Sequence, residues 1–307
     1  MAAACLGWPT LLLAQDTNAP DAVRQFASPE AAIKALREAA EAGDRGAVHA
    51  IFGPEITNFL TGDPVQDRDN FKGFSRAMAE GCVPAPAGDN EVILDIGTNA
   101  WPFPIPLVKL DGQWSFDTEA GGEEIINRHI GRDELNAIGV CRAYVTAQKE
   151  YFSQDRDGSG THKYAMKFKS TPGRHDGLYW ESAGESSPFS ALVAEAHAEG
   201  YGQHAAGTGP HPFHGYLFRI LTGQGGAAPG GKSSYLVDGS LVGGFALVAY
   251  PVNWGKSGIM TFIVNQDGKI YQRSFGEKTA AICASMTRYN PDSHWTLVED
   301  QGVLETE

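Results

Sequence analysis

The run GAAPGGKS, from Gly226 to Ser233, satisfies the nucleotide-binding pattern G-x-x-x-x-G-K-[ST] letter for letter. Such a loop holds phosphates only where a helix begins at its Lys-Ser pair, because the free N–H groups and the dipole of that helix bind the anion. The residues that follow, SYLVDGSLV, instead predict a strand, an Asp238-Gly239 hairpin turn and a second strand. We therefore interpret the run as a false phosphate loop that binds no nucleotide.

The run DRDGSG has the alternating oxygen atoms of a calcium-binding loop. Asp155, Asp157 and Ser159 would supply the oxygens, and the two glycines permit tight turns. Position twelve of an EF-hand carries a bidentate carboxylate, but here it is Met166, and Arg156 adds a positive charge. A solvated turn that ends a helix is the favoured interpretation. Calcium is the alternative, and no other cofactor is expected.

Four histidines, His197, His204, His211 and His214, lie close together in the sequence. Histidines that bind a metal usually lie one helical turn apart or at alternate strand positions, whereas these spacings are irregular and rich in glycine. We interpret them as surface or hydrogen-bonding side chains.

The composition restricts the class of protein. The chain has 307 residues, of which 42% are hydrophobic and 20% charged, as in globular proteins long enough for two domains. The formal net charge of −13 argues against nucleic acid and anionic membranes as partners, because both bind clustered Lys and Arg.

The first fourteen residues, MAAACLGWPTLLLA, are apolar, and the chain then becomes polar. This pattern predicts a secretory signal peptide cut near Ala14, with residues 1–25 forming the peptide and the segment beside it. The basic start of such a peptide is missing, so we expect the true start codon to lie upstream. The apolar run is too short to cross a membrane, which predicts a periplasmic or secreted protein without a transmembrane span.

After removal of such a leader, Cys82, Cys141 and Cys283 remain. Three cysteines in an exported chain form at most one disulfide, and the sequence does not choose the pair. Cys141 lies on an apolar helix face, where a free cysteine packs as a small core residue.

Residues 26–125 predict a first domain of helices followed by strands. Ser28-Pro29-Glu30 is a helix start, and further helices are expected over residues 44–52 and 67–80. Strands are expected over 91–96, 101–110 and 113–117. This order of elements resembles the nuclear transport factor 2-like domain, a cone of helices and a curved antiparallel sheet.

The middle strand contains WPFPIP, with prolines at Pro102, Pro104 and Pro106. Alternate N–H groups of a strand point to one side, so three alternate prolines remove every donor along that side. The pattern predicts an edge strand, or a polyproline-like stretch that lies over the sheet.

Cone-shaped domains of this kind often hold a small ligand, and some are enzymes with carboxylates or histidine inside the cone. The resemblance therefore implies two sets of candidate residues. The ligand-pocket candidates are Trp101, Phe103, Trp114 and Phe116. The weaker catalytic candidates are Asp95, Asp117 and His49. An aromatic stripe on a half-buried strand is more often part of the core, and that alternative is favoured.

Residues 126–300 predict a second domain. A long helix is expected from about Asp133 to Ser153, a short helix from Ser187, and an antiparallel meander over residues 216–274. A long helix on a meander resembles the globular part of type IV pilins and pseudopilins. The chain lacks their long apolar N-terminal helix, which argues against membership of a pilus fibre. The segment from Glu119 to Arg132 has little Gly or Pro beyond Gly121, Gly122 and Gly131, so the junction of the domains is expected to be rigid.

Several longer segments carry a more specific resemblance. They are WPFPIPLVKLDGQWSFDTEAGGEEIINRHIGRDEL, CRAYVTAQKEYFSQDRDGSG, STPGRHDGLYW, PFHGYLFRILTGQG and GGFALVAYPVNWGKSGIMTFIVNQDGKIYQRSFG. Together they resemble the bacterial exported family known as domain of unknown function 2950, over about Phe26 to Trp295. The resemblance implies export and the architecture described above, but no activity and no catalytic residues.

Two classes of function remain open. The favoured one is a non-catalytic binding or assembly module of the cell envelope, whose partner is an envelope protein or a small ligand. It rests on the lack of a G-x-S-x-G elbow, an H-E-x-x-H motif and a working phosphate loop in the sequence. The alternative is a periplasmic hydrolase or isomerase that uses the carboxylate and histidine candidates of the cone.

Overall fold

The computed structural model describes residues 23–156, 158–181, 186–199, 201 and 211–299. These residues form helices and mostly antiparallel sheets, which is an α+β architecture. The described α-helices are α1 Pro29–Glu41, α2 Arg45–Phe52, α3 Pro64–Glu80, α4 Thr118–Phe152, α5 Ser190–Ala198 and α6 Thr279–Ser285. Short 3₁₀ helices span Pro54–Phe59 and Gly276–Lys278.

The described strands number fourteen, several of them only two residues long. The first seven are β1 Cys82–Gly88, β2 Glu91–Ile96, β3 Trp101–Leu110, β4 Gln113–Phe116, β5 Tyr216–Leu221, β6 Gly223–Gln224 and β7 Ser233–Ser234. The others are β8 Leu236–Val237, β9 Ser240–Leu241, β10 Ala246–Pro251, β11 Thr261–Asn265, β12 Ile270–Arg273, β13 Arg288–Tyr289 and β14 Thr296–Leu297.

The N-terminal lobe, residues 23–117, packs α1, α2 and α3 against the sheet β1-β2-β3-β4. The three helices begin where the sequence predicts within a few residues, because Ser28, Asp44 and Asp63 each accept a hydrogen bond from a backbone N–H of the first turn. Strands β2, β3 and β4 also match the prediction. Strand β1 was not predicted, because its sequence CVPAPAG has two prolines and almost no apolar alternation.

The proline-rich strand β3 is not an edge strand of its sheet. It lies between β2 and β4, and its proline-bearing half pairs with β2, for example at Pro102 with Asp95. Strand β4 pairs only with Leu107–Leu110, so it ends before the prolines begin. The missing donors are tolerated because, among the described strands, none pairs with that half of β3 on its second side.

Helix α4 begins at Thr118, fifteen residues before the predicted start at Asp133. The Asp117 side chain accepts a hydrogen bond from the Ala120 N–H and caps it. The predicted rigid junction is therefore the first half of one helix of 35 residues. The sequence does not predict this extension, because Gly121 and Gly122 disfavour a helix. The predicted boundary between residues 125 and 126 falls inside α4, and the division into two domains stays a prediction.

The C-terminal lobe, residues 137–299, contains the five-stranded sheet β14-β12-β11-β10-β5 with the second half of α4 on one face. Strand β10 is buried along its whole length. Leu247 and Ala249 face α4, while Ala246 and Val248 face a second core that includes Cys283 of α6. Burial on both faces explains the unbroken apolar run FALVAY. The predicted meander is correct for β10, β11 and β12, which pair in sequence order, whereas the predicted strand near 235–237 pairs with β9 in a separate sheet and β5 pairs directly with β10.

The three cysteines are free. Cys141 and Cys283 are completely buried and Cys82 is half-buried, so the structure holds no disulfide among these residues. Burial raises the pKa of Cys141 to about 12 and that of Cys283 to about 11, which keeps both thiols protonated. The expected role of Cys141 as a small core residue is confirmed.

Within the described ranges, no helix has both the length and the apolar character that a membrane crossing requires.

Candidate functional site

The two loops singled out in the sequence form turns. Ser233 lies in strand β7, so no helix follows the glycine-rich run. The Asp155 carboxylate accepts backbone hydrogen bonds from Ser159 at 3.3 Å and Gly160 at 2.7 Å, which is a turn role. Asp157 lies outside the described residues, and the calcium alternative stays a prediction.

The histidines differ in their exposure to solvent. His197 and His211 are exposed, and His204 lies outside the described residues. His214 is half-buried, and its Nε2 atom lies 3.0 Å from a carboxylate oxygen of Glu199, which is also half-buried. In the part of the chain that the structure describes, no group of three His, Cys, Asp or Glu residues is arranged to hold a metal ion.

The catalytic candidates of the cone occupy different elements. Asp117 is the cap of α4, and His49 lies in α2 with a half-buried side chain. Asp95 alternates with the buried residues Leu94 and Ile96 of β2, so it points to the opposite face from the core. The geometry therefore gives each residue a separate local environment.

The aromatic candidates of the cone form part of the N-terminal core. Phe103, Trp114 and Phe116 are buried, whereas Trp101 is 40% exposed. The ring of Phe52, from α2, lies 5.9 Å from that of Phe103 and 4.9 Å from that of Phe116. A ligand pocket between these rings would require the side chains to move apart, since Phe52 occupies the space between α2 and the sheet.

A cluster of buried polar residues joins the two lobes, and we call it the lobe junction. It consists of Asp63, Gln66, Asp133, Tyr201 and Gly215. One oxygen of Asp63 caps α3, and the other accepts hydrogen bonds from the Tyr201 hydroxyl at 2.8 Å and the Gly215 N–H at 3.2 Å. Asp63 is 1% exposed, so these bonds are shielded from water.

Asp133 is the most deeply buried carboxyl of the junction, with 0% of its surface exposed. Burial raises its pKa to about 7, although a hydrogen bond from Gln66 and the nearby Arg132 guanidinium act in the opposite direction. The Arg132 Nε atom lies 3.6 Å from Asp133 Oδ1. Burial therefore favours the protonated form of Asp133 at a higher pH than in an exposed carboxyl.

The neighbouring titratable groups are also perturbed by burial. The pKa of His129 is lowered to about 4, by burial first and then by Arg132, so its ring is neutral at pH 7. Burial lowers the pKa of His214 and raises those of Glu199 and Tyr201. Such a concentration of shifted groups is typical of functional sites and of buried structural networks alike.

Sequence reasoning missed this cluster. The sequence places Asp133 at the start of a helix, where an acidic residue is ordinary. Asp63 and Gln66 lie just before the helix predicted over residues 67–80, where polar side chains are equally ordinary. The sequence contained one usable signal: Asp133 follows His129 by four residues within a long helix. Even so, nothing local shows that α3 and the 213–215 loop cover it.

A groove of about 560 Å³ in the C-terminal lobe has a charge opposite to that of the whole protein. The chain carries 24 Lys and Arg against 37 Asp and Glu. Among the described residues that line it, four have cationic side chains and one has an anionic side chain, and we call it the basic groove. These residues are Arg156, Lys163, Lys167, Arg174 and Asp176.

Aromatic rings form the floor of the basic groove. The Arg156 guanidinium lies 5.2 Å from the Trp180 ring and 5.7 Å from the Tyr151 ring, both within cation–π range. The His175 ring stacks on Trp180 at 4.4 Å. The Tyr151 hydroxyl donates to the His175 carbonyl at 2.6 Å. These contacts position Arg156 on a rigid apolar support.

The acid among the described lining residues of the groove, Asp176, accepts hydrogen bonds from its own neighbours. Asp176 accepts from Lys167 Nζ at 2.6 Å and from the Thr171 N–H at 2.7 Å. The hydrogen bond from Lys167 is the main reason that the pKa of Asp176 falls to about 2. Asp176 therefore stays ionised and orders the 171–176 turn.

A second groove, of about 500 Å³, lies between the lobes beside the junction. It is lined by Leu60 and Gly62 on one side and by Asn253 and Trp254 on the other. Its charged residues, Lys256 and Glu277, balance. No charge preference for a ligand follows from this lining.

The model of a protein family described as "Protein of unknown function (DUF2950)" matches residues 23–298. The chain belongs to the DUF2950 family. The match covers both lobes, including the lobe junction and the basic groove. No curated protein and no solved structure matches the chain significantly.

Proposed function

We propose that this DUF2950 protein is an exported, non-catalytic binding module of the cell envelope, and that its basic groove binds a small anion bearing carboxylate or phosphate groups. One observation carries the proposal: four cationic side chains gather around one groove in a chain whose net charge is −13. Opposite charges attract, so these side chains favour an anion in the groove.

The chemistry of the groove suits such a ligand. Arg presents a planar fork of N–H donors that matches carboxylate and phosphate, and Lys adds a mobile charge. Arg156 is held over Tyr151 and Trp180, so little side-chain freedom is lost on binding. The exposed Met166 and the Tyr164 ring add apolar surface for the body of an organic anion.

The proposal includes a finer description of the fold. The N-terminal lobe, with three helices on a four-stranded antiparallel sheet, supports a nuclear transport factor 2-like cone. The C-terminal lobe, with a long helix on a meander, supports a pilin-like arrangement. The enzyme alternative, a hydrolase or isomerase that uses Asp95, Asp117 and His49, gains no support from the positions of these residues.

Export is supported by the apolar segment at residues 1–14, which lies outside the described residues. We expect the protein in its native host to fractionate with the periplasm or the medium, with a mature N-terminus close to Gln15. N-terminal sequencing of the fractionated protein checks this. Recovery of an unprocessed chain from the cytoplasm would contradict export and leave the anion site untouched.

Anion binding is tested by calorimetric titration with citrate and with pyrophosphate at low ionic strength. We expect both anions to bind and the double variant Lys163→Glu/Arg174→Glu to weaken binding at least about tenfold, since a hydrogen bond to a charged group contributes roughly 1.5–3 kcal/mol. Added salt should weaken binding in the wild type.

The matched control is Lys34→Glu/Lys72→Glu, which changes the net charge equally but lies in the N-terminal lobe on exposed side chains. It should bind both anions as the wild type does. The site is refuted if neither anion binds, or if the two double variants lose affinity equally, because the effect would then come from the overall charge.

A further inference from the structure

Gln66 and Asp133 form an incomplete hydrogen-bonded pair at the lobe junction. Gln66 Nε2 donates to Asp133 Oδ1. The other two oxygens, Gln66 Oε1 and Asp133 Oδ2, are buried and have no hydrogen-bond partner. Both lie in front of Gly215, where a Cβ atom would be 2.8 Å from Oδ2 and 3.4 Å from Oε1. Two buried acceptors that share one space without a donor are unfavourable.

One proton resolves both defects. A hydrogen on Asp133 Oδ2 would donate to Gln66 Oε1 and complete a ring of two hydrogen bonds between acid and amide. If the Gln66 amide were turned over, its oxygen would lie against Oδ1, and the same proton would be needed there. We propose that Asp133 carries a proton while the lobes are joined, and that loss of this proton loosens the lobe junction.

The pair links elements from both lobes. Gln66 belongs to α3, Asp133 to the shared helix α4, and Gly215 to the loop before β5, where Ser257 is also close. Separation of the lobes would admit water to Asp133 and return its pKa to that of an exposed carboxyl, about 4. The closed form therefore holds one more proton than the open form between the two pKa values.

Other charged or titratable groups face Asp133 from the elements around it. They are His129 and Arg132 of α4, Asp63 at the start of α3, and His214 and Tyr216 beside Gly215. Arg132 favours the ionised carboxyl and Asp63 the protonated one. His129 titrates with the opposite sign, because its lowered pKa makes the closed form bind fewer protons. Only a comparison with a variant that lacks the Asp133 proton isolates this carboxyl.

That variant is Asp133→Asn, which keeps the shape and supplies a permanent N–H for Gln66 Oε1. The experiment follows hydrogen exchange of the Gln66 and Gly215 amides, both of which donate to Asp63, from pH 5 to pH 8. The protection factor of these amides in the wild type, divided by that in the variant, should fall on the order of fiftyfold from pH 5 to pH 7. Above pH 7 this ratio should change little. The contribution of His129 cancels in this ratio.

A constant ratio across the range would overturn the proposal. A second measurement needs no variant: the side-chain carbon of Asp133 is titrated by nuclear magnetic resonance in the wild-type protein. A midpoint near 7 supports the proton-dependent junction, and a midpoint below about 5 overturns it, since an ordinary carboxyl titrates there.

Discussion

Replacement of Asp63 by alanine should lower the free energy of unfolding by about 3–5 kcal/mol, the cost of breaking a buried, hydrogen-bonded charge network. Asp63 caps α3 through one oxygen and receives the Tyr201 hydroxyl and the Gly215 N–H through the other. Alanine would leave these buried donors without an acceptor. Urea unfolding followed by circular dichroism measures the change.

Asp44→Ala is the matched control. Asp44 caps α2 in the same way, through a 2.9 Å hydrogen bond from the Ala47 N–H, but it is exposed and makes no contact between the lobes. Loss of an exposed cap costs about 1 kcal/mol. If the two variants were destabilised equally, Asp63 would act only as a helix cap, and the lobe junction would contribute little to stability.

The second large effect is expected at Gly121 in helix α4. A Cβ atom there would lie 2.6–2.8 Å from the side chain and backbone of Ile105 in β3. Helix and strand are both packed into the core, so neither can move away at low cost. Gly121→Ala should therefore destabilise the protein by about 1–3 kcal/mol, as overpacking typically does. Thermal unfolding checks the prediction.

Gly131→Ala in the same helix is the control. A Cβ atom at Gly131 meets nothing within 4 Å, and alanine is favoured over glycine in a helix by about 1 kcal/mol. This variant should raise the unfolding temperature. A stabilising Gly121→Ala would show that α4 does not lie against β3 as closely as the structure places it.

Local chemistry accounts for the elements that sequence reasoning placed correctly. Ser28, Asp44 and the Asp111-Gly112 turn act through neighbours within four residues, so their patterns are readable without the fold. The start of helix α4 was predicted too late, at Asp133, because the sequence before it lacks a locally readable helix pattern. Gly121 and Gly122 interrupt a local helix pattern, and only the close approach of Ile105 and Phe59 explains them.

The candidate sites depended on contacts that are distant in the chain. The α+β class, the turn at Asp155 and the false phosphate loop followed from residue types and spacing alone. The buried state of Asp133 follows from Gln66, 67 residues away, and from Gly215. The basic groove likewise brings together Arg156 and Arg174, which are 18 residues apart in the sequence. Burial and net local charge are sums over residues that the fold brings together, so tertiary structure alone determines where a carboxyl keeps its proton and where an acidic protein presents a positive surface.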